Sequence, residues 1–305
     1  MDQAVRDARP PKRPVDGVLL LDKDHGISSH TALQRAKRLF CAVKAGHTGT
    51  LDPLAEGLLP VCFGEATKFS RFSLHADKAY RAEITLGVTT TSGDAEGDIV
   101  ATHPVNVDRT ALDNVLRGFV GETDQLPPMY SALKHQGRPL YSYARAGQTV
   151  SRAPRRVTIA SLEMEAFNGT TLRINMACSA GTYVRVLATD IGAALGCGAH
   201  LSALRRTRVD SFDASHAHSY DALERMSMFE RDAVLLAVDS LVQGLEPIEL
   251  DATQTLRLQQ GRPISVADTR QAALLRVYDA QQRFIGVAEL QDGVLQALRM
   301  MTPVG

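Results

Sequence analysis

Gly46-His47-Thr48-Gly49-Thr50-Leu51-Asp52-Pro53-Leu54-Ala55-Glu56-Gly57-Leu58-Leu59-Pro60 is the stretch on which the reading of this chain turns. Glycines at 46, 49 and 57 permit tight backbone turns. Pro53 removes a backbone donor and biases Asp52 towards extended backbone. On the N-terminal side, Ala32, Leu33, Ala36, Leu39, Phe40 and Val43 follow the helical period, with Ser28 or Ser29 as the cap. On the C-terminal side, Leu58 to Phe63 reads as a buried strand, with a short helix after Gly64. A carboxylate is thus held on a constrained loop between a helix and a buried strand, a setting where catalytic groups are common. Aspartates in such loops also make Asx turns, so these residues alone leave Asp52 with either role.

Working outward, Gly17 to Leu21 is a short apolar strand, and residues 1–15, polar and proline-rich, read as a disordered leader. From Ala79 to Val88 the pattern alternates, with Tyr80, Ala82, Ile84, Leu86 and Val88 on one face and Arg81, Glu83 and Thr85 on the other. A loop, TTTSGDAEGD, precedes an amphipathic helix from Asp108 to Phe119. Strands follow near 156–167 and 171–179, then a helix over 183–195 and a strand near 200–209. The last 55 residues look separate, with a short helix from Leu256 to Gly261, strands around 273–278, 283–290 and 294–300, and a linker near Val242 to Glu249. Strands without regular βαβ alternation predict an α+β fold with a large, mostly antiparallel sheet. The domains expected are 16–245 and a small β-rich unit, 246–305.

The 305 residues balance 34 Lys and Arg against 34 Asp and Glu, and the 44% hydrophobic content excludes wholesale disorder. The balance conceals a local surplus. Residues 124–156 hold Lys134, Arg138, Arg145, Arg152, Arg155 and Arg156 against Asp124 alone, interleaved with Tyr130, His135, Tyr141 and Tyr143. Cations among planar rings suit phosphates and unstacked bases; a solvated basic loop has the same composition. No run approaches the roughly 18 apolar residues of a membrane span, and the N-terminus lacks the apolar core of a secretory signal. Four scattered cysteines, Cys41, Cys62, Cys178 and Cys197, read as buried small hydrophobes in a reducing, cytoplasmic setting.

No phosphate-binding GxxxxGK[ST], GxSxG elbow or HExxH is present. Gly196-Cys197-Gly198 lacks the third glycine and the preceding strand of a dinucleotide site. The nine histidines are dispersed apart from His216 and His218, so neither metal nor cofactor is expected.

The run GHTGTLDPLAEGLLPVCFGEATK (46–68) resembles the catalytic motif of the bacterial TruB family of tRNA pseudouridine synthases. Similar segments follow in order: DKDHGISSH (22–30), KAYRAEITLGVTTTSGDAEGD (78–98), QLPPMYSALKHQGRPLYSYARAG (125–147), GTYVRVLATDIGAALG (181–196) and HLSALRRTRVDSF (200–212). The likeness covers about residues 15 to 215, and the C-terminal strands are similar to a small PUA-type RNA-binding domain. Val209-Asp210-Ser211 departs from the family, which more often has glycine and proline there.

This resemblance implies the pseudouridine synthase fold and isomerisation of uridine 55 in the tRNA T-loop. In that pattern Asp52 acts at the ribose, either as nucleophile at C1′ or as base at C2′ giving a glycal. Arg185 pairs with it and lowers its pKa. Tyr80 stacks on the target base, Tyr183 is a second pocket aromatic, Leu204 an apolar wall and Lys68 a lysine near the pocket. His47 takes the place of the flipped base, and the basic segment, with Lys134, Arg138, Arg145 and Arg152, clamps the T-arm stem-loop; Arg205 and Arg206 are assigned to RNA as well. No cofactor, no membrane and no obligatory protein partner are implied, and the enzyme is expected to be a cytoplasmic monomer. Three rivals remain: a guide-RNA-dependent synthase, a non-catalytic tRNA-binding or folding module, and a glycosidase of modified nucleosides.

Overall fold

The structure, a computed structural model, describes residues 11–303 except 132, 269 and 271. A ten-stranded sheet forms its larger part. Its main path runs His218–Ser219, Gly17–Lys23, Ala55–Phe63, Ala199–Val209, Lys78–Leu86, Thr171–Cys178, Arg155–Phe167, Gly121–Gln125, with Ala45–His47 beside Ala55–Phe63 and Phe212–Asp213 beside Ala199–Val209. Two pairings are parallel, Gly17–Lys23 with His218–Ser219 and Ala55–Phe63 with Ala199–Val209; the rest are antiparallel. The fold is the expected α+β class.

Strand Lys78–Leu86 shows why the alternation was legible. Tyr80, Ala82, Ile84 and Leu86 are buried and join Val184, Leu187, Ala188 and Ile191 of helix Val184–Ala194 in one core. Strand Ala55–Phe63 is apolar on both faces because both are covered. Leu59, Val61 and Phe63 pack with Ala32, Leu33 and Ala36 of helix Ser29–Leu39, while Leu58 and Cys62 pack with Phe69, Val209 and Val287. That helix stops at Leu39, leaving Val43 exposed. All four cysteines are buried and unpaired.

A second, five-stranded sheet comprises Glu246–Leu250, Ala273–Asp279, Phe284–Gln291, Val294–Met300 and Ile264–Ser265 in that order. Val287 enters the core beside Phe69, whose ring meets Phe284 edge-on at 5.1 Å. Residues expected as linker are partly structured: Val242 is buried and Glu246–Leu250 is an edge strand. The leader also needs correction over 11–15. Arg13 donates its N–H to the Cys41 carbonyl at 2.8 Å and pairs with Asp232, and Val15 is buried; residues 1–10 lie outside the described part. At the departure from the family pattern, Asp210 adopts φ 56° in the two-residue turn joining Val209 to Phe212. An aspartate tolerates that left-handed conformation better than most side chains.

Candidate active site

Asp52 owes its position to the helix before it. Ser28 caps helix Ser29–Leu39, and the next hydroxyl does something else. Buried Ser29 Oγ accepts the Leu51 N–H at 2.7 Å and donates to the Leu51 carbonyl at 2.9 Å. Gly26 donates to the Pro53 carbonyl and Ala55 to the Asp52 carbonyl, while Leu51 and Leu54 are buried in the core. With main chain and flanks tied, the carboxylate faces a cavity of about 330 Å³, its side chain 42% exposed. Tyr80, Tyr183, Arg185 and Leu204 line the same space.

Arg185, in the first turn of helix Val184–Ala194, is the hub. One Nη lies 2.9 Å from Asp52 Oδ2 and donates to the Tyr130 carbonyl at 2.7 Å. The other lies 3.3 Å from Asp94 Oδ2 and donates to the Ser92 carbonyl at 3.3 Å. Asp94 is buried and also takes the Ser92 hydroxyl and the Glu96 N–H. Sequence reading passed it over inside the TTTSGDAEGD loop. Its presence changes the electrostatics expected at Asp52. Burial pushes the Asp52 carboxyl above the usual carboxylate range; Arg185 opposes this, and the charge on Asp94 adds to it. Arg185 does lower the Asp52 pKa, but burial is the larger effect and leaves it raised.

Tyr80 is buried, and burial raises its phenol pKa while the nearby Arg206 guanidinium works against that rise. Burial also raises Tyr183. The Tyr183 backbone is held by Gln125, a buried side chain at the root of the basic segment: its Oε1 accepts the Tyr183 N–H at 2.9 Å and its Nε2 donates to the Tyr183 carbonyl at 3.4 Å. This fixes the start of the helix that presents Arg185.

Several other assignments are corrected by position. Arg206 is 1% exposed. Its Nε donates to the Leu58 carbonyl at 2.7 Å and an Nη to the Gly49 carbonyl at 3.2 Å, so it is held in the wall of the Asp52 cavity and not displayed on the outer surface. Gly57 permits this approach, since at φ 96° a Cβ there would lie 2.4 Å from the Arg206 carbonyl oxygen. Arg205, on the opposite face of the strand, is half-buried and paired with Asp22 and Glu56, which accounts for its charge within the protein. Lys68 does not line the Asp52 cavity. Its Nζ contacts Glu65 at 2.8 Å, the Thr302 hydroxyl at 2.9 Å and the Met300 carbonyl at 3.3 Å, tying the second sheet to the first.

His47 sits on strand Ala45–His47, outside that cavity lining, with Nδ1 buried and unpartnered among the described residues. Burial, then Arg206, lower its pKa. In the basic segment Lys134, Arg138 and Arg145 are exposed, and the guanidinium groups of Arg138 and Arg145 stack on Tyr143 and Tyr141. Arg152 is half-buried and donates to the Pro127 carbonyl at 2.9 Å. The segment is structured, with a hairpin at Lys134–His135 and Arg138–Pro139 and a short helix, Leu140–Arg145. A larger groove, about 420 Å³, lies along Glu56, Arg81, Glu83, Arg173 and Arg205. Its arginines are paired internally, with Glu165, Glu83, Asp22 and Glu56. No described helix is long and apolar enough to cross a membrane.

The arrangement thus offers one partly open carboxylate paired with a buried arginine, beside two tyrosines and an apolar wall. Such a site can stabilise positive charge or attack an electrophilic carbon next to a stacked ring. Residues 37–184 match the family model described as TruB family pseudouridylate synthase, N-terminal domain. Residues 185–249 match that of the tRNA pseudouridylate synthase B C-terminal domain, and 247–301 that of pseudouridine synthase II TruB, C-terminal. The chain is 54% identical to tRNA pseudouridine synthase B of Azoarcus sp. (strain BH72), over 95% of this chain and 96% of the relative. It is 52% identical to the protein so named in Methylobacillus flagellatus, over 96% and 98%. A crystal structure of a Cbf5-Nop10-Gar1 complex superposes with a TM-score of 0.72 at 24% identity, covering 98% of this chain and 90% of the other, a likeness of fold.

Proposed function

This chain belongs to the TruB family of pseudouridylate synthases, and on that premise we propose that it converts uridine 55 in the T-loop of tRNA to pseudouridine. The observation that carries the reading is the Arg185–Asp52 pair in a cavity walled by Tyr80, Tyr183 and Leu204. The C1′–N1 bond breaks, the uracil turns, C5 joins C1′, C5 loses a proton and N1 gains one. Asp52 meets the electron-poor anomeric carbon, a task that resembles the carboxylate chemistry of glycoside cleavage.

Each neighbour has a part that follows from its place. Arg185 keeps Asp52 ionised against the pull of burial, and Asp94 holds Arg185 from behind. The Tyr80 ring and Leu204 receive the uracil faces, so the base must first leave its stack at a cost of a few kcal/mol. His47 fills the vacated position in the RNA, and exposed Lys134, Arg138 and Arg145 grip the stem-loop phosphates. The enzyme works as a monomer in the cytoplasm without an obligatory protein partner. The supply of its own basic clamp favours this over a guide-RNA-dependent synthase.

The test is incubation of purified protein with bare tRNA labelled with tritium at uridine C5. Release of tritium with retention of the base in the chain supports the proposal. Free uracil would favour a glycosidase, and binding without release would favour a tRNA-binding module.

A further inference from the structure

Building on that function, we propose that the Ser131 hydroxyl donates a hydrogen bond to a carbonyl oxygen of the flipped uracil, so that the basic segment contributes a base contact to the active site as well as a grip on phosphates. Of the described side chains with a buried, unpartnered polar atom, Ser131 is the one that lines the Asp52 cavity. It is 5% exposed, and its Oγ has no hydrogen-bond partner among the described residues. The Tyr183 phenol is the nearest rival: hydrogen-bonding proximity to Ser131 lowers its pKa against the rise from burial, but the two hydroxyls do not meet hydrogen-bond geometry.

The backbone on either side is committed. Ser131 donates its N–H to the Met129 carbonyl at 2.9 Å and accepts the Tyr141 N–H at 3.1 Å, and the preceding carbonyl, of Tyr130, receives Arg185. The hydroxyl is thus positioned by the same strut that orients Arg185, with its own bonding capacity unused. A buried hydroxyl left unpaired is destabilising, and a polar group kept so in a substrate cavity is explained when the substrate completes it. Uracil has carbonyls at C2 and C4, and a hydroxyl is a competent donor to either.

This reading separates the free protein from the complex. Ser131→Ala removes an unsatisfied group, so the thermal midpoint of the free protein stays unchanged or rises. On a T-arm stem-loop, kcat/KM falls about tenfold, the size of one neutral hydrogen bond. Binding of a stem-loop with 2′-deoxyuridine at the target weakens by the same factor as binding of the ribose form. A fall in thermal midpoint would make Ser131 a structural residue, and an unchanged kcat/KM would remove the contact. A penalty confined to the ribose substrate would move the bond to the 2′-hydroxyl; each of these three outcomes overturns the proposal. A wild-type protein that makes no pseudouridine would overturn the function itself.

Discussion

Asp94, buried and out of reach of substrate, lies 3.3 Å from one Nη of Arg185, whose other Nη lies 2.9 Å from Asp52. Asp52 must be ionised to act, so the rate falls as pH drops through its pKa, which burial has raised. The two neighbours move that acid limb in opposite senses. Asp94→Asn removes a charge that raises the Asp52 pKa and moves the limb to lower pH. Arg185→Met removes the charge that lowers it and moves the limb up. Both variants lose about tenfold or more in kcat, because the pair is no longer held in place. Single-turnover rates measured across pH would check the signs.

Arg206 and the exposed cations of the basic segment should separate cleanly. Arg206→Met strips the Leu58 and Gly49 carbonyls of a buried donor and costs on the order of 2 kcal/mol of stability. The triple replacement Lys134→Ala, Arg138→Ala, Arg145→Ala leaves stability within about 0.5 kcal/mol but weakens tRNA binding and flattens its salt dependence. Denaturant unfolding and binding titrations at several salt concentrations measure the two effects.

Lys23 gives a pH signature of the fold. It is buried, donates to the Asp24 and Ile27 carbonyls, and burial lowers its pKa from 10.5 to about 8. Between those values the unfolded chain binds the proton that the folded one has lost, so this group makes stability rise with pH there. Below about 8 both states are protonated and the penalty is present in full. Lys23→Met should therefore flatten the stability profile over that window by roughly 1–3 kcal/mol, as read from unfolding at successive pH values.

Lys68→Met tests the link between the sheets. Loss of the contacts to Glu65, Thr302 and Met300 should speed proteolysis within 246–303, while kcat on tRNA stays within about twofold of wild type. A collapse of kcat would return Lys68 to the reaction.

What was legible depended on whether the signal was local. The glycines and Pro53 mark the Asp52 loop, and Leu58 to Phe63 is continuous because two cores cover it. Alternation over Tyr80 to Leu86 transfers directly into burial. Asp94 was hidden because its loop composition reads as a turn, and its partner Arg185 is brought to it by tertiary packing. Ser28 and Ser29 read equally well as the helix cap, which hid the hold of Ser29 on Leu51. Arg205 and Arg206 were given one role, although neighbours on a strand point to opposite faces, and the parallel pairing with Gly57 is what buries Arg206. Glu246–Leu250 read as linker because its charges and Pro247 suit an exposed edge strand equally well.

The central claim is that Asp52 makes pseudouridine at one uridine of the T-loop. Mass spectrometry of tRNA after chemical labelling of pseudouridine, with wild-type protein and with Asp52→Asn, tests it most directly. The account predicts stoichiometric label at position 55 with wild type and none with the variant, which still binds tRNA. Label elsewhere, or equal label with Asp52→Asn, would contradict it.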